Sequence, residues 1–142
     1  MPTAQKYYGK YRGKVVNNTD PLNIGRVQVN VPEISRTRTN WALPCVLAAA
    51  VQMGIYAVPT VGSNVWVEFE HGDPDHPIWT GGFWDKAADL PAPPNGGIVL
   101  KSASGATIVI NDAGITIQNG KGASIVLAGP TVTINNGALA IT

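Results

Sequence analysis

Gly97-Ile-Val-Leu-Lys-Ser-Ala-Ser-Gly-Ala-Thr-Ile-Val-Ile-Asn-Asp-Ala113 is followed at once by Gly114-Ile-Thr-Ile-Gln-Asn-Gly-Lys-Gly-Ala-Ser-Ile-Val-Leu-Ala-Gly-Pro130. The second stretch repeats the first at an offset of 17 residues, with six of 17 positions identical. Apolar pairs punctuate the repeat and its continuation: Ile98/Leu100, Ile108/Ile110, Ile115/Ile117, Ile125/Leu127, Val132/Ile134 and Leu139/Ile141, spaced 10, 7, 10, 7 and 7 residues apart. Each pair is an i, i+2 pattern, which puts both side chains on one face of a strand. Thr116, Thr133 and Ala140 take middle positions and point the other way. Val99, Val109 and Val126 are apolar middle residues, so the pattern leaves facing open in those three strands. Asn119-Gly120, Asn136-Gly137 and Asp112-Ala113-Gly114 supply turns.

Six strands of about five residues, each with one narrow apolar face, no aromatic bulk and no covering helix, make no core as a lone chain. Stacking on copies of itself is the remedy, and threefold symmetry suits it best, because three flat faces close into a prism without lateral sheet edges. The twelve residues of the six pairs are therefore the predicted trimer core. Six layers ~4.8 Å apart give a rod roughly 30 Å long. An amyloid-like or disordered tail is the competing reading, but the turn residues recur too regularly for it.

The composition changes near residue 90. Residues 1–94 hold eight basic and eight acidic side chains, all four Trp, all four Tyr and both Phe; residues 95–142 hold only Lys101, Lys121 and Asp112 as charges. Leu90-Pro-Ala-Pro-Pro-Asn-Gly-Gly97 marks the join. The expected organisation is a domain over 1–90, a Pro/Gly linker over 91–96 and an oligomerising rod over 97–142.

Across all 142 residues only 13% are charged, the net charge is +1, and there are one Cys and two His. That excludes a disulfide scaffold and a Cys/His zinc site, and it leaves no global field for nucleic acid or anionic lipid. The longest apolar run, Cys45–Val51, is far short of the ~20 residues of a spanning helix. No secretory h-region is evident at the N-terminus, and a lone Cys45 fits a chain made in reducing cytoplasm.

The first half follows the strand rule. Val27, Val29 and Val31 alternate with polar residues, as do Val65, Val67 and Phe69; 11–16, 41–48 and 77–83 supply three more strands, with a hairpin across 70–77. Five short strands without a long amphipathic helix predict a partly open Greek-key barrel of OB type. The fold class is all-β.

Five motifs occur in order: Tyr7-Tyr-Gly-Lys-Tyr-Arg-Gly-Lys-Val-Val16, Asp20-Pro-Leu-Asn-Ile-Gly-Arg-Val-Gln-Val-Asn-Val-Pro32, Trp41-Ala-Leu-Pro-Cys45, Val58-Pro-Thr-Val-Gly-Ser-Asn-Val-Trp-Val-Glu-Phe-Glu70 and Gly72-Asp-Pro-Asp-His-Pro-Ile-Trp-Thr-Gly81. Together they resemble the OB domain of the baseplate assembly protein V family, the central spike of contractile phage tails. They are also similar to the matching domain of type VI secretion valine-glycine-repeat spikes. The 97–142 repeat resembles the intertwined triple-stranded β-helix that follows in those proteins. The resemblance implies a homotrimeric, non-enzymatic structural spike that caps a tube and pierces a target cell envelope. Its barrel collar would meet baseplate hub proteins, and its localisation would be a tail baseplate or injection particle assembled in bacterial cytoplasm. Only 83–95 separates barrel and rod, too short for the peptidoglycan-cleaving domain some spikes insert. No His-x-His metal apex occurs in 95–142, so the resemblance implies a separate PAAR-type tip protein contacting Leu139, Ala140, Ile141 and Thr142.

Other chemistry has simpler readings. His71, Asp73, Asp75 and His76 lack the acidic positions of a calcium loop and read as a solvated hairpin. Cys45 has no indicated base and reads as a small buried apolar residue. Glu68 and Glu70 resemble a glycosidase carboxylate pair only in spacing and read as barrel surface. No cofactor or metal is expected. The rival function is single-strand nucleic-acid binding through Lys6, Tyr7, Tyr8, Lys10, Tyr11, Arg12 and Lys14, but charge over 1–94 sums to zero and the rod has no role in it.

Overall fold

A computed structural model describes residues 5–37, 39–91 and 97–141. The chain divides into two compact units, Met1–Asp85 and Lys86–Thr142. The expected linker at 91–96 falls inside the second unit, and its residues 92–96 lie outside the described residues.

In the first unit, β1 (Tyr11–Asn17), β2 (Val27–Asn30), β3 (Thr39–Pro44), β6 (Asn64–Phe69) and β7 (Pro77–Gly82) form a closed barrel of order β1-β2-β3-β7-β6. Neighbours are antiparallel except β3 and β7, which run parallel. This is the five-stranded barrel of OB type expected from the alternation, closed where the expectation was partly open. Alternate residues point inward: Val15, Val27, Val29, Val31, Ala42, Val65, Val67 and Trp79 are buried together. The Trp79 indole Nε1–H donates to the Gly25 carbonyl at 3.2 Å, so its one polar atom is satisfied inside the core. Tyr11 and Phe69, with ring centroids 5.6 Å apart, pack against the same core.

The strand expected over 41–48 is shorter. β3 ends at Pro44, which has no N–H to extend a ladder; Cys45 N–H still donates to the Trp79 carbonyl at 2.9 Å, and Val46 still packs on the barrel core. Beyond it the chain leaves the barrel and pairs β4 (Ala49–Ala50) with β5 (Met53–Gly54) in a separate hairpin. Cys45 is consequently exposed, not buried as the run of apolar neighbours suggested.

The second unit is an antiparallel meander: β8 (Ile98–Lys101), β9 (Thr107–Asn111), β10 (Gly114–Gln118), β11 (Ser124–Ala128), β12 (Thr131–Ile134) and β13 (Leu139–Ile141), each paired with its sequence neighbours. The turns explain the 10-and-7 spacing. Five residues join β8 to β9, where the Ser102 hydroxyl accepts from Ala106 N–H at 3.0 Å. Five join β10 to β11, where Asn119 Oδ1 accepts from Lys121 N–H at 2.9 Å and Ala123 N–H at 3.1 Å. Two-residue turns alternate with them at Asp112-Ala113 and Gly129-Pro130. Gly114 opens β10 at φ +134, and a Cβ there would run into the Leu127 carbonyl oxygen of the neighbouring strand, so no larger residue fits.

Candidate functional site

The predicted core residues line up strand by strand. Ile98 pairs with Ile110, Ile110 with Ile115, Ile115 with Leu127, Leu127 with Val132, and Val132 with Ile141. A second column runs through Leu100, Ile108, Ile117, Ile125, Ile134 and Leu139 in the same way. Paired residues share a face of a sheet, so all twelve lie on one face in two columns of six. Between the columns, Val99, Val109, Thr116, Val126 and Thr133 are paired in one row and face the other way, and Ala140 is the register partner of Thr133. The facing that the sequence left open for the three valines is thereby settled.

None of the twelve is buried. Nine are exposed, from 37% for Ile108 to 62% for Leu100, and Ile115, Val132 and Ile134 are half-buried. No charged residue stands on this face: Lys101 pairs with Thr107 one residue beyond the apolar column, and Asp112 and Lys121 sit in turns. The arrangement does no bond chemistry. It is an uncharged apolar surface of regular spacing, which water penalises until something apolar covers it. β13, which carries Leu139, Ala140 and Ile141, has a strand on one side only; Thr142 lies outside the described residues.

The barrel holds a polar site that the sequence motifs did not single out. Asp20 is buried between β1 and β2, and its carboxylate accepts from the N–H groups of Leu22, Ile24 and Arg26 at 3.0, 3.0 and 3.1 Å. Arg26 closes a bidentate pair on Oδ1, with Nε at 3.0 Å and a terminal nitrogen at 2.8 Å. The Arg26 guanidinium, seconded by those three N–H groups and against the opposing effect of burial, holds the Asp20 carboxyl well below the usual carboxylate range. The signal was an Asp-Pro followed by Arg six residues on, with Gly25 between. The role is structural, since every oxygen is committed to the loop.

The local basic and aromatic cluster is largely spoken for. Tyr7 and Tyr11 turn onto Phe69, Lys10 pairs with Glu68 at 2.8 Å, and the Arg12 guanidinium lies 5.5 Å from the Trp66 ring and 5.0 Å from Phe83. The 71–76 loop is held by His76 Nδ1 at 3.4 Å from Asp73 Oδ2. No His, Cys, Asp and Glu among the described residues cluster as metal ligands would.

Comparison with known proteins agrees with this division. Residues 11–84 match the type VI secretion system/phage-baseplate injector OB domain, and residues 87–140 match the phage baseplate V C-terminal trimerisation domain. The type VI secretion system spike protein VgrG3 of Vibrio cholerae serotype O1 is 41% identical over 64 residues, which is 42% of this chain but only 6% of that protein. With an OB-domain match over 11–84 and a trimerisation-domain match over 87–140 accounting for nearly all of the chain, it belongs to the phage baseplate V family.

Proposed function

We propose that three copies of this chain bury the two-column apolar face on a common axis, forming a rigid needle that caps the tube of a contractile apparatus and pierces the target cell envelope. The carrying observation is the alignment of all twelve apolar residues, Ile98 to Ile141, on one exposed face of a six-stranded sheet. Six layers with the ordinary strand spacing of ~4.8 Å make a needle roughly 30 Å long. A tool that works by penetration requires stiffness, and a close-packed prism resists bending because its apolar contacts must separate together. The low-charge Thr, Ser and Asn of the opposite face lower the cost of crossing a bilayer.

In this reading the barrels form a collar that meets hub proteins, and the three β13 strands form a platform for a separate PAAR-type tip at Leu139, Ala140, Ile141 and Thr142. The open side of β13 supports that contact, because unpaired strand backbone is a ready docking edge. Neither an enzyme's site nor a cofactor is invoked, and assembly takes place in the bacterial cytoplasm. The test is solution mass by light scattering beside an unboiled detergent gel. A detergent-resistant species of about 45 kDa, three times 14.9 kDa, is expected. A monomer of about 15 kDa would remove the needle.

A further inference from the structure

Where the chain leaves the barrel after Pro44, it does so without charge: Arg38 and Glu68 are the charged residues flanking a stretch that has none. The β4–β5 hairpin turns at Val51-Gln52. Turn chemistry favours Asn, Asp and Gly there, yet Val51 is β-branched and 94% exposed, and Gln52 adopts φ +55. Leu47, at the base of the hairpin, is 92% exposed, and Met53, Ile55 and Tyr56 are exposed beside it. Contiguous apolar exposure of this kind marks an interaction surface.

Against the hairpin lies an apolar groove of about 270 Å³, lined by Ile24, Val46, Met53, Ile55, Val58 and Trp79. The Tyr56 ring closes over Gly25, where an added Cβ would stand 3.3 Å from Tyr56 Cε2. One barrel therefore offers both a protruding apolar tip and an apolar slot.

We infer that in the trimer Leu47 and Val51 of one barrel seat in the groove of the next, closing a head-to-tail ring of three. The occupant is a second copy of this chain. A contact between two different surfaces of one molecule closes into a ring when the rotation is threefold, and the trimerisation domain on the same chain sets that rotation. Tethering also raises the local barrel concentration to the millimolar range, enough for a small interface to form. Both surfaces lack charge, so they suit each other and give a charged partner nothing to pair with.

The inference rests on the proposed trimer, so light scattering of each sample reports that reading separately. The full chain with Cys45→Ser, Val51→Cys and Ile24→Cys is oxidised, boiled in detergent and run without reductant. A covalent three-chain band that collapses on reduction is expected, while Val51→Cys alone should stay single-chain. A two-chain band from Val51→Cys alone would mean that the tips meet on the axis, which overturns the ring. Deuterium exchange guards against imperfect disulfide geometry. Leu47→Asp with Val51→Asp should speed exchange at the 52–57 amides at least about tenfold while β9–β12 stay protected. Unchanged exchange in a sample that remains trimeric overturns the proposal, as does a wild-type trimer whose groove amides already exchange freely because another protein is its natural occupant.

Discussion

The barrel and the meander are both antiparallel-rich β-structures built on alternating Val and Ile, yet they dispose of their apolar side chains in opposite ways. Curling β1, β2, β3, β7 and β6 into a closed ring puts eight residues in the interior of one chain. The meander stays open, and not one of the twelve Ile, Leu and Val residues in its two columns is buried. Closure makes the difference. A sheet that closes on itself supplies its own second layer, while a single open sheet leaves one face to water until another surface covers it. The barrel thus has what it requires to fold alone, and the meander is half of an interface.

The sharpest way to break this contrast is to charge the two faces of the meander separately. Ile117→Lys with Ile134→Lys puts two ammonium groups into one apolar column, and we expect the 45 kDa species to disappear from light scattering. Thr116→Lys with Thr133→Lys places the same charges in the row that faces the other way, and the trimer should persist. Equal tolerance of both pairs would mean that the apolar face is not the trimer's core. In either variant the barrel's own unfolding transition should remain, since none of its core residues is touched.

How much of this was legible in the sequence depended on whether local pattern alone carried the information. The Ile-x-Ile pairs named the six strands and their apolar face, because period-two facing is local geometry. The three middle valines did not declare a side, since an apolar residue suits either face; only cross-strand pairing with Thr116 and Thr133 decides it. The barrel strands were equally readable, apart from the end of β3. There a run of small apolar residues suggested that the strand continued through Cys45, while Pro44 ended it. The Asp20 cage was missed because three of its five hydrogen bonds come from backbone N–H groups, which a sequence does not display, and its side-chain partner Arg26 stands six residues on.

A smaller effect follows from truncating the closed core. Val65→Ala removes two buried methyl groups from a site with no solvent access and should cost the barrel about 2 kcal/mol. Urea unfolding of the barrel would register it as a lower midpoint, with the trimer's mass unchanged. A loss of trimer from this substitution would show that the two units do not stabilise themselves independently.

Acid separates them further. Because the folded Asp20 carboxyl is held below the usual range, chiefly by Arg26, its ionised form is favoured by folding. Its contribution is present in full above the unfolded value of ~3.9 and is lost as pH falls through the folded value. The barrel's urea midpoint should therefore drop between about pH 4 and pH 2 in the wild type. Asp20→Asn should lower the midpoint at pH 7 and flatten that acid slope, because the titrating group is gone. An unchanged slope in the variant would assign the acid sensitivity to another carboxylate.

The smallest effect tests whether the barrel relies on its surface at all. Lys10 reaches across to Glu68 at 2.8 Å and also donates to Thr80 Oγ1 at 3.2 Å, with both charged side chains close to half exposed. An exposed pair gains little Coulomb energy in water and orders two long side chains to obtain it, so such pairs contribute under about 1 kcal/mol and weaken with salt. Lys10→Ala should shift the barrel's stability by no more than ~0.5 kcal/mol, and by less still in 1 M salt. A barrel sustained by eight interior residues has no need of that bond. If its loss instead rivalled Val65→Ala, the stability of the closed unit would lie on its polar surface, and closure would no longer explain why one unit stands alone and the other requires copies of itself.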